Sequence, residues 1–274
     1  MRSNNPVLSK ADSWQTQPVT GQFAPGQTYP GQVGAPYDPQ FQPAQPDLRQ
    51  QGVMTIDDVI TKSAVVMGVL MLTAALTFMY LPAQLLYPAM IIAGLVAFGT
   101  VMLVSFRRAI NPGFVLAYAA IEGVFIGAIS KVFESLYPGI VTPAVLGTFV
   151  AAGATLFAYK AFRIKVTDKF RKMIVIGTIA YAGVLFVNFI LSLFGVNTGI
   201  ISVTGQVSVI ALLASAVGVG LAVFNLILDF DYIEQGIAVR APASESWRAA
   251  FGLTVTMVWL YTEILRILSY FQRN

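Results

Sequence analysis

Seven apolar segments follow residue 55, each close to the length that a helix needs to cross a bilayer, and they constrain the fold more than any other feature. Bilayer hydrocarbon offers no hydrogen-bond partner to the backbone, so segments of this length must be helical. Only 11% of the 274 residues are charged, against roughly 25% in soluble domains. The sequence therefore predicts an all-α integral membrane protein, a seven-transmembrane-helix bundle. The predicted spans are Val59–Tyr80, Leu85–Phe106, Phe114–Leu136, Val141–Phe162, Met173–Phe194, Val207–Ile233 and Ala249–Phe271.

Residues 1–54 are rich in Pro, Gln and Gly, and we expect them to form a disordered tail. They hold eight of the fourteen prolines, and such a composition cannot bury enough apolar surface to offset its ordering entropy. The tail is either a solvated leader or an arm that recruits a partner. A membrane domain is expected over residues 55–274, opened by the capping signal Thr55-Ile56-Asp57-Asp58.

Basic residues concentrate in the tail and in every second link between the predicted spans. The link between the fourth and fifth spans is the richest, whereas residues 195–206 carry no charge. The basic residues of the link between the fourth and fifth spans are Lys160, Arg163, Lys165, Lys169, Arg171 and Lys172. Because basic residues mark the cytoplasmic side, the sequence predicts a cytoplasmic N-terminus and, with seven spans, an external C-terminus. Six spans with a re-entrant last helix stay open as an alternative, because the last segment is the most polar.

The chain contains neither cysteine nor histidine, which excludes several classes of site. Disulfides, zinc sites built on Cys or His, and Cys or Ser-His nucleophiles are all ruled out. We therefore expect no enzyme activity and no cofactor. No basic stretch is interleaved with aromatic residues, so nucleic-acid binding is not expected either. A pH response would have to come from carboxylates.

A few ionisable or amide side chains fall within the predicted spans, where a charge costs about 3 kcal/mol and marks a functional candidate. They are Glu122, Asn188, Asn225, Asp229, Asp231, Glu263 and Arg266. In the seventh span, helical spacing aligns four residues on one face. These are Trp259, Glu263, Arg266 and Tyr270. The stripe is either a self-neutralising Glu263–Arg266 ion pair or a polar face turned towards a cavity or another acid.

The end of the sixth span carries two aspartates on different faces. Asn225 and Asp229 share one face at a spacing of four. Asp231 lies about 200° around the helix from Asp229, so the two carboxylates cannot point into one site. Whether the aspartates lie in headgroup water or inside the bundle stays open at this point.

Three short motifs resemble the Bax inhibitor (YccA-like) family over roughly residues 55–272. They are Glu-Gly-Val-Phe-Ile-Gly at 122–127, Phe-Asp at 230–231 and Leu-Tyr-Thr-Glu-Ile-Leu at 260–265. The Pro- and Gln-rich tail followed by Met-Thr-Ile-Asp-Asp is similar to the actinobacterial branch of that family. The resemblance implies a seven-helix fold with its last helix near the centre, in a bacterial cytoplasmic membrane.

The resemblance also implies a function, a pH-sensitive calcium leak gated by a pair of carboxylates. Matched by motif, these are Asp231 and Glu263, where Glu263 stands at a position that is usually Asp in the family. The pair would share a proton, approach each other on the cytoplasmic half of the bundle, and have calcium nearby. An alternative function is a non-transporting scaffold that regulates a membrane partner such as the FtsH protease.

Further polar residues are expected to support the pair. The family has a membrane-embedded arginine partner, and Arg266 and Arg107 are both candidates for it. Asp229, Glu122 and Asn225 are expected as supporting polar residues. The expected partners of the chain are thus the lipid bilayer, calcium ions and protons.

Overall fold

The computed structural model describes residues 52–107, 110–196, 198–199 and 208–272, in which the chain forms seven long helices. All seven are long and apolar enough to cross a membrane, so the predicted seven-span all-α bundle is confirmed. A 3-10 turn, Ala83–Leu85, precedes the second helix. The helices are α1 Ile56–Tyr80, α2 Leu86–Phe106, α3 Pro112–Leu136, α4 Val141–Ala161, α5 Asp168–Leu193, α6 Val209–Ala238 and α7 Glu245–Phe271.

Polar caps begin several helices where the sequence changes from polar to apolar. The Thr55 hydroxyl accepts a hydrogen bond from the Asp58 amide at 3.2 Å, as the capping signal predicted. The Asn111 side chain accepts one from the Gly113 amide at 2.8 Å, next to a proline in the first turn. Such caps satisfy amide groups that the first turn of a helix leaves without a partner.

Three helices extend a full turn or more beyond the predicted spans, all at one end of the bundle. α5 begins at Asp168 instead of Met173, α6 ends at Ala238 instead of Ile233, and α7 begins at Glu245 instead of Ala249. The added turns carry charged residues, so they end the apolar pattern without ending the helix. We call this end of the bundle the basic end, because the links rich in Lys and Arg lie there.

The last helix lies at the centre of the bundle. α7 packs against α1, α3, α4 and α6. In the most apolar 18-residue segment of α7, half of the residues are buried inside the protein. The same share is buried in α3, but only 11% in α5. The central position expected for the seventh helix is confirmed, and α5 is the helix that the rest of the bundle covers least.

The residues just before α1 pack across the link between α6 and α7. The Met54 amide donates to the Ala241 carbonyl at 2.8 Å, and the Ala243 amide donates to the Gly52 carbonyl at 2.8 Å. The Met54 side chain is 2% exposed. The packed part of the chain therefore begins before the expected boundary at residue 55. The rest of the expected disordered tail, residues 1–51, lies outside the described residues.

Candidate functional site

Glu263 lies near the centre of the bundle with both carboxylate oxygens bonded. It is 1% exposed. The Tyr181 hydroxyl of α5 donates to its Oε1 at 2.8 Å, and the Arg266 guanidinium donates to its Oε2 at 2.9 Å. The local Glu263–Arg266 ion pair, one of the two interpretations of the α7 stripe, is therefore present. A tyrosine from another helix completes it.

Gly218 of α6 makes room for this contact between α5 and α7. A Cβ atom at this position would lie 2.5 Å from the Tyr181 hydroxyl oxygen and 2.7 Å from Cδ of Glu263. Both distances are shorter than non-bonded atoms tolerate, so a larger residue would separate the two side chains. The Tyr181 ring also stacks on Trp259, with centroids 5.7 Å apart. We call these residues, Tyr181, Gly218, Trp259, Glu263 and Arg266, the Glu263 cluster.

Asp231 forms a second polar cluster close to the basic end. Its Oδ2 accepts from the Arg171 guanidinium of α5 at 2.8 Å and from the Gln235 side-chain amide at 2.7 Å. The Asp231 side chain is 12% exposed and that of Arg171 is 45% exposed. Asp231 therefore lies at the edge of the bundle, where it binds α5 through a partly hydrated ion pair.

The prediction that Asp231 and Glu263 lie close together is wrong, because the helices place them at different levels of the bundle. Glu263 packs against Gly218, which lies thirteen residues before Asp231 in the same helix. At 1.5 Å per residue, about 20 Å separates those levels of α6. Asp231 lies seven residues before Ala238, the last residue of α6, whereas Glu263 lies eighteen residues after Glu245, the first residue of α7. Antiparallel helices bring together residues at equal distances from their link, and these two differ.

One calcium ion cannot contact both carboxylates across this separation. Among the described residues there is also no group of three or more acidic side chains that could hold a metal ion. Calcium takes six to eight oxygen ligands. A single bound calcium bridging Asp231 and Glu263 is therefore not supported by this geometry.

Asp229 points the other way around α6, as its spacing from Asp231 predicted. Its Oδ2 accepts a hydrogen bond from the Thr256 hydroxyl of α7 at 2.6 Å. The same hydroxyl also donates towards the Gly252 carbonyl at 3.1 Å. Asp229 thus faces α7, whereas Asp231 faces α5, and neither contacts Glu263.

Glu122 and Asn225 are placed apart from both clusters. Glu122 of α3 is 7% exposed, and it makes no hydrogen bond or ion pair with any described residue. Tyr118, one turn earlier, packs edge-on against Phe251 of α7, so this side of α3 is turned towards the central helix. The Asn225 side-chain amide donates to the Thr178 hydroxyl of α5 at 2.8 Å. Asn225 therefore adds a third polar bond between α5 and α6 or α7.

The two candidates for the embedded arginine differ clearly. Arg266 is 13% exposed and bonds directly to Glu263. The Arg107 guanidinium lies over the Phe114 ring at 4.6 Å, beyond the end of α2 at the basic end. Of the two, only Arg266 is in the Glu263 cluster.

Sequence reasoning missed four residues that complete these sites. Arg171 belongs to a basic link, and Tyr181 and Thr256 have no distinctive spacing within their own helices. Gly218 belongs to a ridge of small residues with Ala214 and Ala222, which predicts close helix packing but not the side chains that meet there. Each takes its role from a side chain on another helix. No signal within a single segment identifies such a contact.

Comparison with known protein families agrees with the fold. The family model described as Bax inhibitor 1 like matches residues 5–273. No curated protein matches the chain. The family match spans nearly the whole sequence, including all seven spanning helices. This chain therefore belongs to the Bax inhibitor 1 like family and is a multi-pass membrane protein.

Proposed function

We propose that this protein is a pH-sensitive calcium leak of a bacterial cytoplasmic membrane, with its N-terminus in the cytoplasm. Family membership supports the class of function. The observation that carries the proposal is the burial of Glu263, a carboxylate 1% exposed in a membrane span and bonded to groups from two helices. An ionisable group at that depth in the membrane costs free energy, so its presence indicates a functional role.

In this proposal α5 is the element that moves. It is the helix that the other helices bury least, with 11% of its most apolar 18-residue segment buried. Among the described residues, three polar bonds join it to α6 or α7, and two of them end on the proposed sensors. The bonds are Tyr181–Glu263, Arg171–Asp231 and Thr178–Asn225. Since little apolar packing holds α5, these bonds decide whether it stays in place.

Protonation is the proposed trigger. Both ion pairs, Arg266–Glu263 and Arg171–Asp231, require an ionised carboxylate. Acidification therefore weakens them, and with them the attachment of α5. In this mechanism, Asp231 and Glu263 are two separate sensors and do not share a proton.

The second candidate, a non-transporting scaffold for a membrane partner such as the FtsH protease, also has an observation in its favour. A cavity of about 480 Å³ is lined almost entirely by apolar side chains of α1, α3, α4 and α7. It offers no polar route for an ion. A protein that only binds a partner would need no such route.

Calcium entry into liposomes that contain only the purified protein separates the two functions. A leak predicts calcium entry above that of protein-free liposomes, with a rate that changes between acidic and alkaline pH. The neutral variant Glu263→Gln should keep, at all pH values, a rate closer to that of the wild type at acidic pH. A rate equal to that of protein-free liposomes at every pH would reject the leak and favour the scaffold.

A further inference from the structure

A second cavity, of about 300 Å³, opens near the basic end between α2, α6 and α7. Its wall includes apolar residues, but one acid and three other polar side chains also face it. The polar lining residues are Ser105, Asp229, Tyr232 and Arg248. Neither proposed sensor, Asp231 or Glu263, lines this cavity.

Asp229 lines this space, and only one of its two carboxylate oxygens has a hydrogen-bond donor among the described residues. Its Oδ2 is bonded to Thr256. Among the described residues no donor bonds to Oδ1, which lies beside Gly252, also a lining residue. A Cβ on Gly252 would lie 3.2 Å from that oxygen, so the glycine leaves the carboxylate open where a side chain would crowd it.

Arg248, the basic residue that lines the cavity, already forms an ion pair with Glu245. The Arg248 guanidinium donates to the Glu245 carboxylate at 2.8 Å, and the Tyr232 hydroxyl donates to the same carboxylate at 2.6 Å. Arg248 also reaches the Arg107 carbonyl at 3.4 Å. Arg248 is thus paired with Glu245, whereas Asp229 has no ion-pair partner among the described residues.

We infer that Asp229 and this cavity form a binding site for a hydrated inorganic cation, entered from the basic end. The inference rests on the proposed leak and supplies its cytoplasmic entrance. A cavity of about 300 Å³ has room for several water molecules. One carboxylate supplies too few oxygens for a fully dehydrated calcium ion. The site therefore holds a cation that keeps most of its water.

Cysteine labelling tests the site without any measurement of flux. The chain has no cysteine, so Ser105→Cys, a nearly isosteric change, places one thiol in the cavity. Its rate of reaction is measured with a cationic and an anionic methanethiosulfonate of similar size, on the full chain in membranes open at the basic end. The buried Ser246, which is 0% exposed, gives the control variant Ser246→Cys.

The cationic reagent should react faster, relative to the anionic one, when Asp229 is present. Compared with the ratio in an added Asp229→Asn background, the expected excess is about tenfold, because the two reagents carry opposite charges and so interact with the Asp229 carboxylate with opposite sign. Asp231→Asn should leave the ratio unchanged. Calcium or potassium should slow the cationic reagent in the Asp229 protein only, and Ser246→Cys should react slowly with both.

An unchanged ratio in the Asp229→Asn background, or no protection by cations, would overturn the site. If Asp229→Asn does not fold, Thr256→Val, which keeps the charge, and cation protection in the Ser105→Cys protein decide the question instead. Thr256→Val should retain the preference for the cationic reagent, and its loss would count against the site. A charge preference in a protein that shows no calcium entry in liposomes would reject the leak and leave the cation site standing.

Discussion

Gly218→Ala tests whether the glycine of α6 is what allows Tyr181 and Glu263 to meet. The added methyl group would lie 2.5 Å from the Tyr181 hydroxyl oxygen and 2.7 Å from Cδ of Glu263. One side chain must withdraw, and the Glu263 carboxylate has little freedom because Arg266 also binds it at 2.9 Å. The expected result is loss of the Tyr181–Glu263 hydrogen bond.

The size of the effect follows from three contributions. A hydrogen bond to a charged group contributes about 1.5–3 kcal/mol, and overpacking a core costs about 1–3 kcal/mol. Replacing glycine with alanine in a helix returns about 1 kcal/mol. Gly218→Ala should therefore destabilise the protein by about 1.5–5 kcal/mol.

The assay is equilibrium unfolding in mixed micelles, followed by the fluorescence of Trp259, which stacks on Tyr181. Gly220 gives a matched control in the same helix, because a Cβ there would have no neighbour within 4 Å. Gly220→Ala should be neutral or slightly stabilising. Equal stabilities for Gly218→Ala and Gly220→Ala would refute the role of Gly218.

Arg171→Gln should change the pH dependence of calcium flux in liposomes as Asp231→Asn does, because each removes the same ion pair between α5 and α6; Lys169→Gln, which removes a nearby charge outside that pair, should not. Deleting residues 1–51 should leave the melting temperature in detergent unchanged, whereas deleting three residues more should lower it, because Met54 is buried; equal values for the two deletions would contradict this. Lys169→Cys should react with an impermeant maleimide in inside-out vesicles, and its reaction in intact cells would reverse the predicted orientation.

The spanning helices could be predicted because each depends on a local property of its own segment. The apolar run that begins at Val141 is also where α4 begins, and the Thr55 cap is where the signal placed it. The Glu263–Arg266 ion pair could also be predicted, as one of two interpretations of the α7 stripe, because a spacing of three brings two residues of one helix together. Motif and period sufficed for these features.

The contacts between helices could not be predicted in this way. Tyr181 is one of eleven tyrosines, on the least covered helix, and it reaches Glu263 only because Gly218 of a third helix leaves space. The error over Asp231 and Glu263 has another cause. Motif resemblance identified both residues but not their depths, and counting residues from the link between α6 and α7 would have indicated their separation.

Calcium flux against pH in liposomes, for the wild type, Asp231→Asn, Glu263→Gln and the double variant, tests the central claim most directly. We predict that wild-type flux depends on pH, that each single change removes part of this dependence, and that the double variant loses the sum. The two carboxylates lie at levels of the bundle about 20 Å apart and bond to different side chains of α5, so their effects should add within about 0.5 kcal/mol. Flux that does not change with pH in the wild type, or a double variant no different from either single one, would contradict two separate proton sensors.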